Sequence, residues 1–408
     1  MTISKVLRHS PASMTAEANS PVTPRIDNHL SRLREAKGLT RAQLAAQSGV
    51  TRQAIHAIET GQYLPTTAVS LQLARVLACH VEDLFSLTDA EEIIEGVIAR
   101  DSPDSAVGQS RRRVKVARVG SRFVVRPVVD LGEVLNYTVA ADGLLVDPLP
   151  HRGKAGAHSA RVRLLRDRRA IEQEISVAGC DPSIFLLGEH LRRYKDACSV
   201  VGWTLGSTAA LDALKRGEVH VAGVHVVDQS GESNLPYLRR HLKGTNYLVM
   251  TFAVWEEGLL VAARNPRGIS GVADLVRPDV ALINREEGSG ARLLLDQRLA
   301  ASGIAAAAIR GYQSVARSHV HVARLIAEGR ADVGVGVRAA AQLFDLDFLP
   351  LQHARYDLVL PKAYLQDHPA IESFLDILTS RPFRTEVGAL GGYDTSEMGT
   401  VRELSAKR

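Results

Sequence analysis

Two short turns place hydroxyls where an anion would be held. In INREEGSGARLLLDQRL, Ile283–Leu299, Ser289 stands between Gly288 and Gly290 at the start of a helical pattern. A helix start offers unpaired N–H groups and the positive end of the helix dipole. VGWTLGSTAALDAL, Val201–Leu214, has the same plan, with Gly206, Ser207 and Thr208 between a strand-like and a helical segment. Each dipole contributes roughly 0.3–1 kcal/mol before burial. Arg285 and Arg292 flank the second turn and can add a guanidinium fork to an anion. His225 and His319 follow strand-like segments and are further candidates, with core or rim packing as the competing role. Plain N-capping competes for Ser207 and Ser289, and a surface salt bridge competes for Arg292. Asp181 would repel an anion and reads better as the cap of a helix beginning at Pro182-Ser183.

A second chemistry lies in LTRAQLAAQSGVTRQAIHAIETGQYLP. Two helical stretches join through a short glycine turn, and the second presents Arg52, Gln53 and His56 along one face. Arginine pairs with the guanine edge and glutamine with adenine in the major groove. Thr51 and Arg41 are placed to contact phosphate.

The chain that must position these groups has 408 residues, enough for two or three domains. Hydrophobic residues make up 45% and charged residues 23%, which is globular composition. Aromatics are 5%, too few for extensive base-stacking surfaces, and a net charge of +5 permits nucleic-acid binding without requiring it. Cys79, Cys180 and Cys198 form no CxxC pair and no zinc-type spacing, so the expectation is a reduced compartment and no metal. No apolar stretch is long enough for a membrane span, and the first residues lack the apolar core of a secretory signal.

Residues 1–24 read as a flexible tail. Residues 25–87 read as five helices, the first with Ile26, Leu30 and Leu33 inward, with Thr40 and Thr51 capping the second and third. Residues 88–110 read as a linker and 111–172 as a β-rich connector, with the run Arg111, Arg112 and Arg113 more plausibly solvated than bound to DNA. Residues 173–385 alternate strands and helices, the pattern of an α/β domain with buried parallel strands. Residues 386–408 read as a flexible C-terminal tail. The glycines of ADVGVGVRAAAQL lack the third glycine of a nucleotide fingerprint and fit tight strand-to-helix packing.

Two resemblances attach to these residues. Arg25–Leu87, through Leu39-Thr40, Leu44-Ala45, Gly49-Val50, Ile55, Ile58-Glu59 and Gly61, resembles the Cro/C1-type (XRE) helix-turn-helix domain. That resemblance implies a third helix in the major groove and a homodimer on a palindromic site. Ala57 stands where family members can carry a base-reading side chain. Residues Glu174–Ser380 resemble the type 2 periplasmic-binding-protein-like (PBP-like) domain, in the cytosolic branch that accompanies helix-turn-helix domains and molybdopterin-biosynthesis proteins. The residues are Gly179-Cys180-Asp181-Pro182, Gly206-Ser207, Leu211 to Gly217, Ala222-Gly223-Val224-His225, Asn234, Asn265-Pro266, Asn284-Arg285, Gly288-Ser289-Gly290, Arg292, His319, Ala331-Asp332-Val333-Gly334 and Asp347-Phe348. This second resemblance implies two α/β lobes closing on a solute.

The expectation is a cytoplasmic, nucleoid-associated, one-component regulator binding operator DNA, multidomain in fold, with a small-solute effector and no membrane. The effector expected first is an oxyanion, molybdate or tungstate, bound as ligand rather than cofactor. An organic acid or molybdopterin-like compound is the alternative, and Trp203 and Tyr237 near the cleft would favour it. A molybdenum-delivery or cofactor-biosynthesis protein is the other function class. No GxSxG, P-loop or HExxH motif is present, so no catalysis is expected.

Overall fold

The computed structural model describes residues 26–87, 92–100, 113–128, 139–147, 159–181, 183–194, 198–226 and 234–405. The expected N-terminal tail lies outside these residues, as do Arg111 and Arg112. Two compact units divide between Glu92 and Ile93.

The first unit holds α1 (Leu30–Ala36), α2 (Arg41–Ser48), α3 (Arg52–Glu59), α4 (Thr67–Leu77) and α5 (Val81–Leu84), with β1 (Ile26–Asn28) antiparallel to β2 (Phe85–Leu87). Ile26 is therefore on a strand and not on the first helix. With only three residues, β1 is defined by its β2 partner, which helical periodicity does not report. Thr40 caps α2 by accepting from the Gln43 N–H at 3.2 Å, while the Gln43 side chain accepts from the Thr40 N–H at 2.9 Å. Gly49 ends α2 at φ 70°, a conformation that favours glycine. Thr51 opens α3 by accepting from the Ala54 N–H at 3.0 Å. Leu30, Leu44, Ile55, Ile58, Leu73, Leu77 and Leu84 form the buried core.

The second unit begins with a closed five-stranded barrel. Its strands are β3 (Ile93–Ile98), β4 (Arg113–Val119), β5 (Arg122–Pro127), β6 (Gly143–Leu145) and β7 (Ser159–Leu164), in the order β3-β5-β4-β6-β7 with β7 returning to β3. The expected linker over 88–110 is thus interrupted by a barrel strand. Ile94 faces the barrel core with Val114, Val116, Val125, Leu145 and Val162. The connector is also part of the larger unit. His220 donates from Nε2 to the Arg118 carbonyl at 2.8 Å, and Lys115 pairs with Glu174 at 3.0 Å.

After α6 (Arg168–Glu172) come β8 (Glu174–Gly179), α7 (Ile184–Tyr194), β9 (Ser199–Thr204), α8 (Ser207–Lys215), β10 (Val221–Val224) and α9 (Leu235–His241). The long strand β11 (Tyr247–Val261) crosses to a second set: β12 (Leu282–Arg285), α10 (Gly290–Ala301), β13 (Val315–Ala316), α11 (His319–Ala327), β14 (Val333–Val337) and α12 (Arg338–Leu343). The equally long β15 (Asp347–Pro361) returns, followed by α13 (Tyr364–Asp367), α14 (Ile371–Thr379) and α15 (Arg381–Ala389). The strand path is β13-β12-β14-β11-β15-β10-β8-β9. Strands β10, β8 and β9 run parallel in one lobe, and β14, β12 and β13 in the other. The antiparallel pair β11/β15 joins the lobes, with register shifts at Thr251/Ala253 and Glu257/Gly258.

The expected C-terminal tail is instead ordered through most of its length. It contains β16 (Tyr393–Asp394) and β17 (Val401–Leu404), both paired with β11. Tyr393, Met398, Val401 and Leu404 are buried, and this apolar content gives the segment reason to dock. Gly334 packs as the sequence implies, since a Cβ there would stand 2.5 Å from Val322 Cγ1.

Candidate DNA-contact helix and interlobe ligand site

In α3, Ile55 and Ile58 turn inward, while Arg52, Gln53 and His56 are exposed with Thr51 at the helix start. A 3.6-residue period requires this division. Arg41 departs from its expected role. Its Nε donates to Glu59 Oε2 at 2.5 Å, and Arg34 Nε donates to Glu59 Oε1 at 2.6 Å. The Glu59 side chain is 2% exposed, so Arg41 belongs to a buried-carboxylate clasp between α1, α2 and α3 and is not a simple phosphate clamp. Burial pushes the Glu59 carboxyl up, but the two guanidiniums outweigh it and hold it below the ordinary range.

The two glycine-flanked helix starts do meet, but not with open hydroxyls. Ser207 Oγ donates to the His225 carbonyl and accepts from the His225 N–H, both at 3.1 Å. Thr208 Oγ1 donates to the Gly288 carbonyl at 3.0 Å and lies 3.2 Å from the Tyr237 hydroxyl. Ser289 Oγ donates to the Glu286 carbonyl at 2.8 Å and caps α10 through the Arg292 N–H at 3.3 Å. Ser207 and Ser289 are fully buried. The expectation that both hydroxyls stand free for an anion is corrected: backbone groups of the serines' own lobes occupy them. Gly290 is required here, because a Cβ on it would lie 2.2 Å from the His225 carbonyl oxygen.

Beside this seam lies a buried polar cluster. Arg285 grips Glu286 with Nε and Nη2, each at 2.8 Å, while its Nη1 has no hydrogen-bond partner among the described residues. His319 opens α11, fully buried, with neither ring nitrogen partnered among the described residues. His225 Nδ1 is 3.4 Å from Cys180 Sγ. His225 Nε2 is 3.3 Å from Glu257 Oε1, within ion-pair distance but outside hydrogen-bond angles. Trp255 packs edge-on against both rings, its centroid 5.0 Å from that of His225 and 5.9 Å from that of His319, and its Nε1 is likewise unpartnered. Burial pushes His225 down, but Cys180 and Glu257 prevail and raise it to about 10. Burial, with Arg285 and His225 nearby, holds His319 well below the usual histidine range.

Ser207, Thr208, His225, Arg285, Ser289, Gly290 and His319 lie together at the seam between the lobes. Arg292 turns aside: it pairs with Asp296 at 3.2 Å, stacks over Tyr312 at 4.1 Å and donates to the Arg285 carbonyl. Trp203 also lies elsewhere, donating to Ser176 Oγ beneath Arg126. Asp181 accepts from the Ser183 N–H at 2.7 Å, as a helix-start cap does. Sequence reasoning missed Cys180 and Glu257. Their signals were a cysteine immediately after β8 and a carboxylate within the long apolar strand β11.

The helix-turn-helix family matches residues 30–84, and the PBP superfamily domain matches residues 188–379. An uncharacterized protein, YvgK, of Bacillus subtilis is 32% identical over 237 residues, covering 56% of this chain and 73% of that protein. The chain belongs to the helix-turn-helix proteins that carry a PBP superfamily domain. An uncharacterized HTH-type transcriptional regulator of Methanothermobacter thermautotrophicus is 44% identical over 57 residues, covering 14% of this chain and 83% of that protein. A putative phosphate ABC transporter substrate-binding protein of Clostridium perfringens aligns at 14% identity and TM-score 0.42, covering 54% of this chain and 98% of that one. On the two family matches, this helix-turn-helix regulator joins a DNA-binding unit to a PBP-like ligand-binding unit. Among the described residues, no helix is long and apolar enough to cross a membrane.

Proposed function

We propose that this chain is a one-component regulator whose operator binding is set by an anionic solute held between the two α/β lobes. The carrying observation is the buried cluster, where the Arg285 guanidinium keeps one nitrogen unpartnered among the described residues, beside the unpartnered His319 and Trp255 donors. A buried donor without a partner costs about 1–3 kcal/mol, which an oxyanion or carboxylate would recover. Parting the lobes would also release the Thr208 hydroxyl from the Gly288 carbonyl of the opposite lobe. Molybdate and tungstate are the first probes and organic acids the second. The protein acts in the cytoplasm as a homodimer on palindromic DNA, by binding rather than catalysis. An effector shifts this equilibrium only by its differential affinity for the two lobe states.

The test is thermal stability of the full chain with molybdate, tungstate, sulfate, phosphate and a carboxylic-acid panel, followed by anisotropy on duplexes selected from a random pool. Saturating ligand at about a hundred times its dissociation constant adds roughly 2.7 kcal/mol of stability. The Ser207→Ala/Ser289→Ala double variant should bind the effector much more weakly. The reading fails if no anion in the panel changes either stability or operator affinity.

A further inference from the structure

The interlobe cluster contains a second donor set that anion binding does not explain. Cys180, His225 and His319 each offer one ligand atom, and the three atoms lie within 4.8 Å of one another. All three residues are at least nine-tenths buried. A zinc ion with sulfur at about 2.3 Å and nitrogen at about 2.0 Å separates its ligand atoms by roughly 3.5 Å. Cys180 Sγ and His225 Nδ1 already stand 3.4 Å apart.

We propose that Cys180 Sγ, His225 Nδ1 and one ring nitrogen of His319 bind a thiophilic late transition-metal ion, zinc or copper. His319 is the second, independent observation, since a fully buried imidazole with neither nitrogen hydrogen-bonded among the described residues is costly unless something ligates it. Glu257 occupies the supporting position. With Nδ1 on the metal, His225 Nε2–H turns to the Glu257 carboxylate 3.3 Å away, the carboxylate–histidine–metal arrangement that fixes ring orientation. Binding displaces the protons of the Cys180 thiol and of His225 Nδ1, and the thiolate and the Glu257 carboxylate balance a divalent ion. One thiolate with two imidazoles favours zinc or copper over magnesium or calcium, which require oxygen ligands.

Three protein ligands leave a coordination position open, which suits an oxygen of the anionic effector beside Arg285. Both lobes contribute: Cys180 and His225 follow β8 and β10, and His319 follows β13. The ion therefore ties the lobes together, and its access requires them to part. The proposal rests on the interlobe cluster being the effector site and adds a metal to it.

The experiment treats the full-length chain with a chelator, then titrates zinc alone against a competing chromophoric chelator and counts metal by mass spectrometry. Cobalt(II) is used in parallel for its thiolate charge-transfer absorption. One metal per chain is expected, with a cobalt–thiolate band that disappears in Cys180→Ser and persists in Cys79→Ser. His319→Gln should weaken zinc at least 100-fold, and Glu257→Gln by about 10–100-fold. Tryptophan fluorescence checks that each variant folds, and the wild-type cobalt band is independent of variant folding. Failure to retain stoichiometric zinc overturns the proposal, as does a zinc affinity or cobalt spectrum unchanged by Cys180→Ser and His319→Gln. Stoichiometric zinc that those variants abolish establishes the site even when no anion in the panel changes stability or operator affinity; in that outcome the sensing reading fails and the site stands.

Discussion

Replacing Glu59 with glutamine should destabilise the DNA-binding unit selectively, without touching a base-reading side chain. Glu59 is 2% exposed, and its two oxygens accept from Arg34 at 2.6 Å and Arg41 at 2.5 Å. Glutamine keeps one acceptor and turns an NH2 group toward the other guanidinium. Breaking a buried pair by removing one partner costs about 3–5 kcal/mol. Arg34, 8% exposed, keeps bonds to the Leu39 carbonyl at 2.8 Å and to Glu35 at 3.0 Å, so the cost falls below that range, to about 2–3 kcal/mol. A unit of roughly 60 residues carries only about 3–9 kcal/mol in all. With a urea slope near 1 kcal/mol/M, the midpoint falls by about 2 M. The assay has an internal control, because both tryptophans, Trp203 and Trp255, lie in the larger unit. Far-UV dichroism should show an early transition in Glu59→Gln while tryptophan fluorescence follows the wild-type curve, and operator binding should be lost with the first transition. Arg41→Met should cost no more than about 1 kcal/mol, since that side chain is 42% exposed. The sign with pH follows. Glu59 is held below its ordinary value, so its contribution is complete above about pH 4.5 and is lost as pH falls through the folded value. Coincident dichroism transitions for wild type and Glu59→Gln, with unchanged operator affinity, would refute the clasp.

Three further outcomes are expected. Arg52→Ala and Gln53→Ala should leave stability unchanged, both residues being exposed, while each relaxes discrimination at one base pair by about 1–3 kcal/mol in competition anisotropy. Gly290→Ala places a methyl 2.2 Å from the His225 carbonyl oxygen and should lower stability of the larger unit by about 1–3 kcal/mol, read by tryptophan fluorescence; an unchanged midpoint would show that the lobes do not meet there. His220 accepts from the Ser176 N–H at 2.9 Å and donates to the Arg118 carbonyl at 2.8 Å, and burial, with His368 nearby, lowers it to about 3. Its neutral form is favoured in the folded state, so stability is complete above pH 6.5 and declines as pH falls toward 3, by about 2 kcal/mol between pH 6.5 and 5. His220→Gln should flatten that slope in urea titrations at several pH values, and an equal slope would remove His220 as its source.

How much of this was legible in the sequence follows from where each signal resides. Threonine caps at Thr40 and Thr51 and the Gly49 turn are local chemistry, so the helix-turn-helix was readable from a few residues. The barrel was only half readable, because Ile93–Ile98 follows a polar stretch and gains its meaning from β5 and β7, which lie far along the chain. The ordered C-terminus was hidden for the same reason, since β17 is short and starts at Val401, 154 residues after the start of its partner β11 at Tyr247. The interlobe site is the instructive case. Cys180, His225 and His319 have no metal-like spacing, yet each stands just beyond a parallel strand, as Ser207 and Ser289 do beyond β9 and β12. Open α/β sheets gather ligand groups at the carboxyl ends of their strands. Spacing along the chain is therefore the wrong ruler for such a fold, and strand-end position is the right one. Applied evenly, that rule would have set Cys180 beside the two histidines. It would still have missed Glu257, which lies inside β11 at a register shift where the strand passes from one lobe to the other. A carboxylate fully buried in the joining strand, against a histidine of the first lobe, belongs to the seam itself, and the seam forms only when the lobes meet.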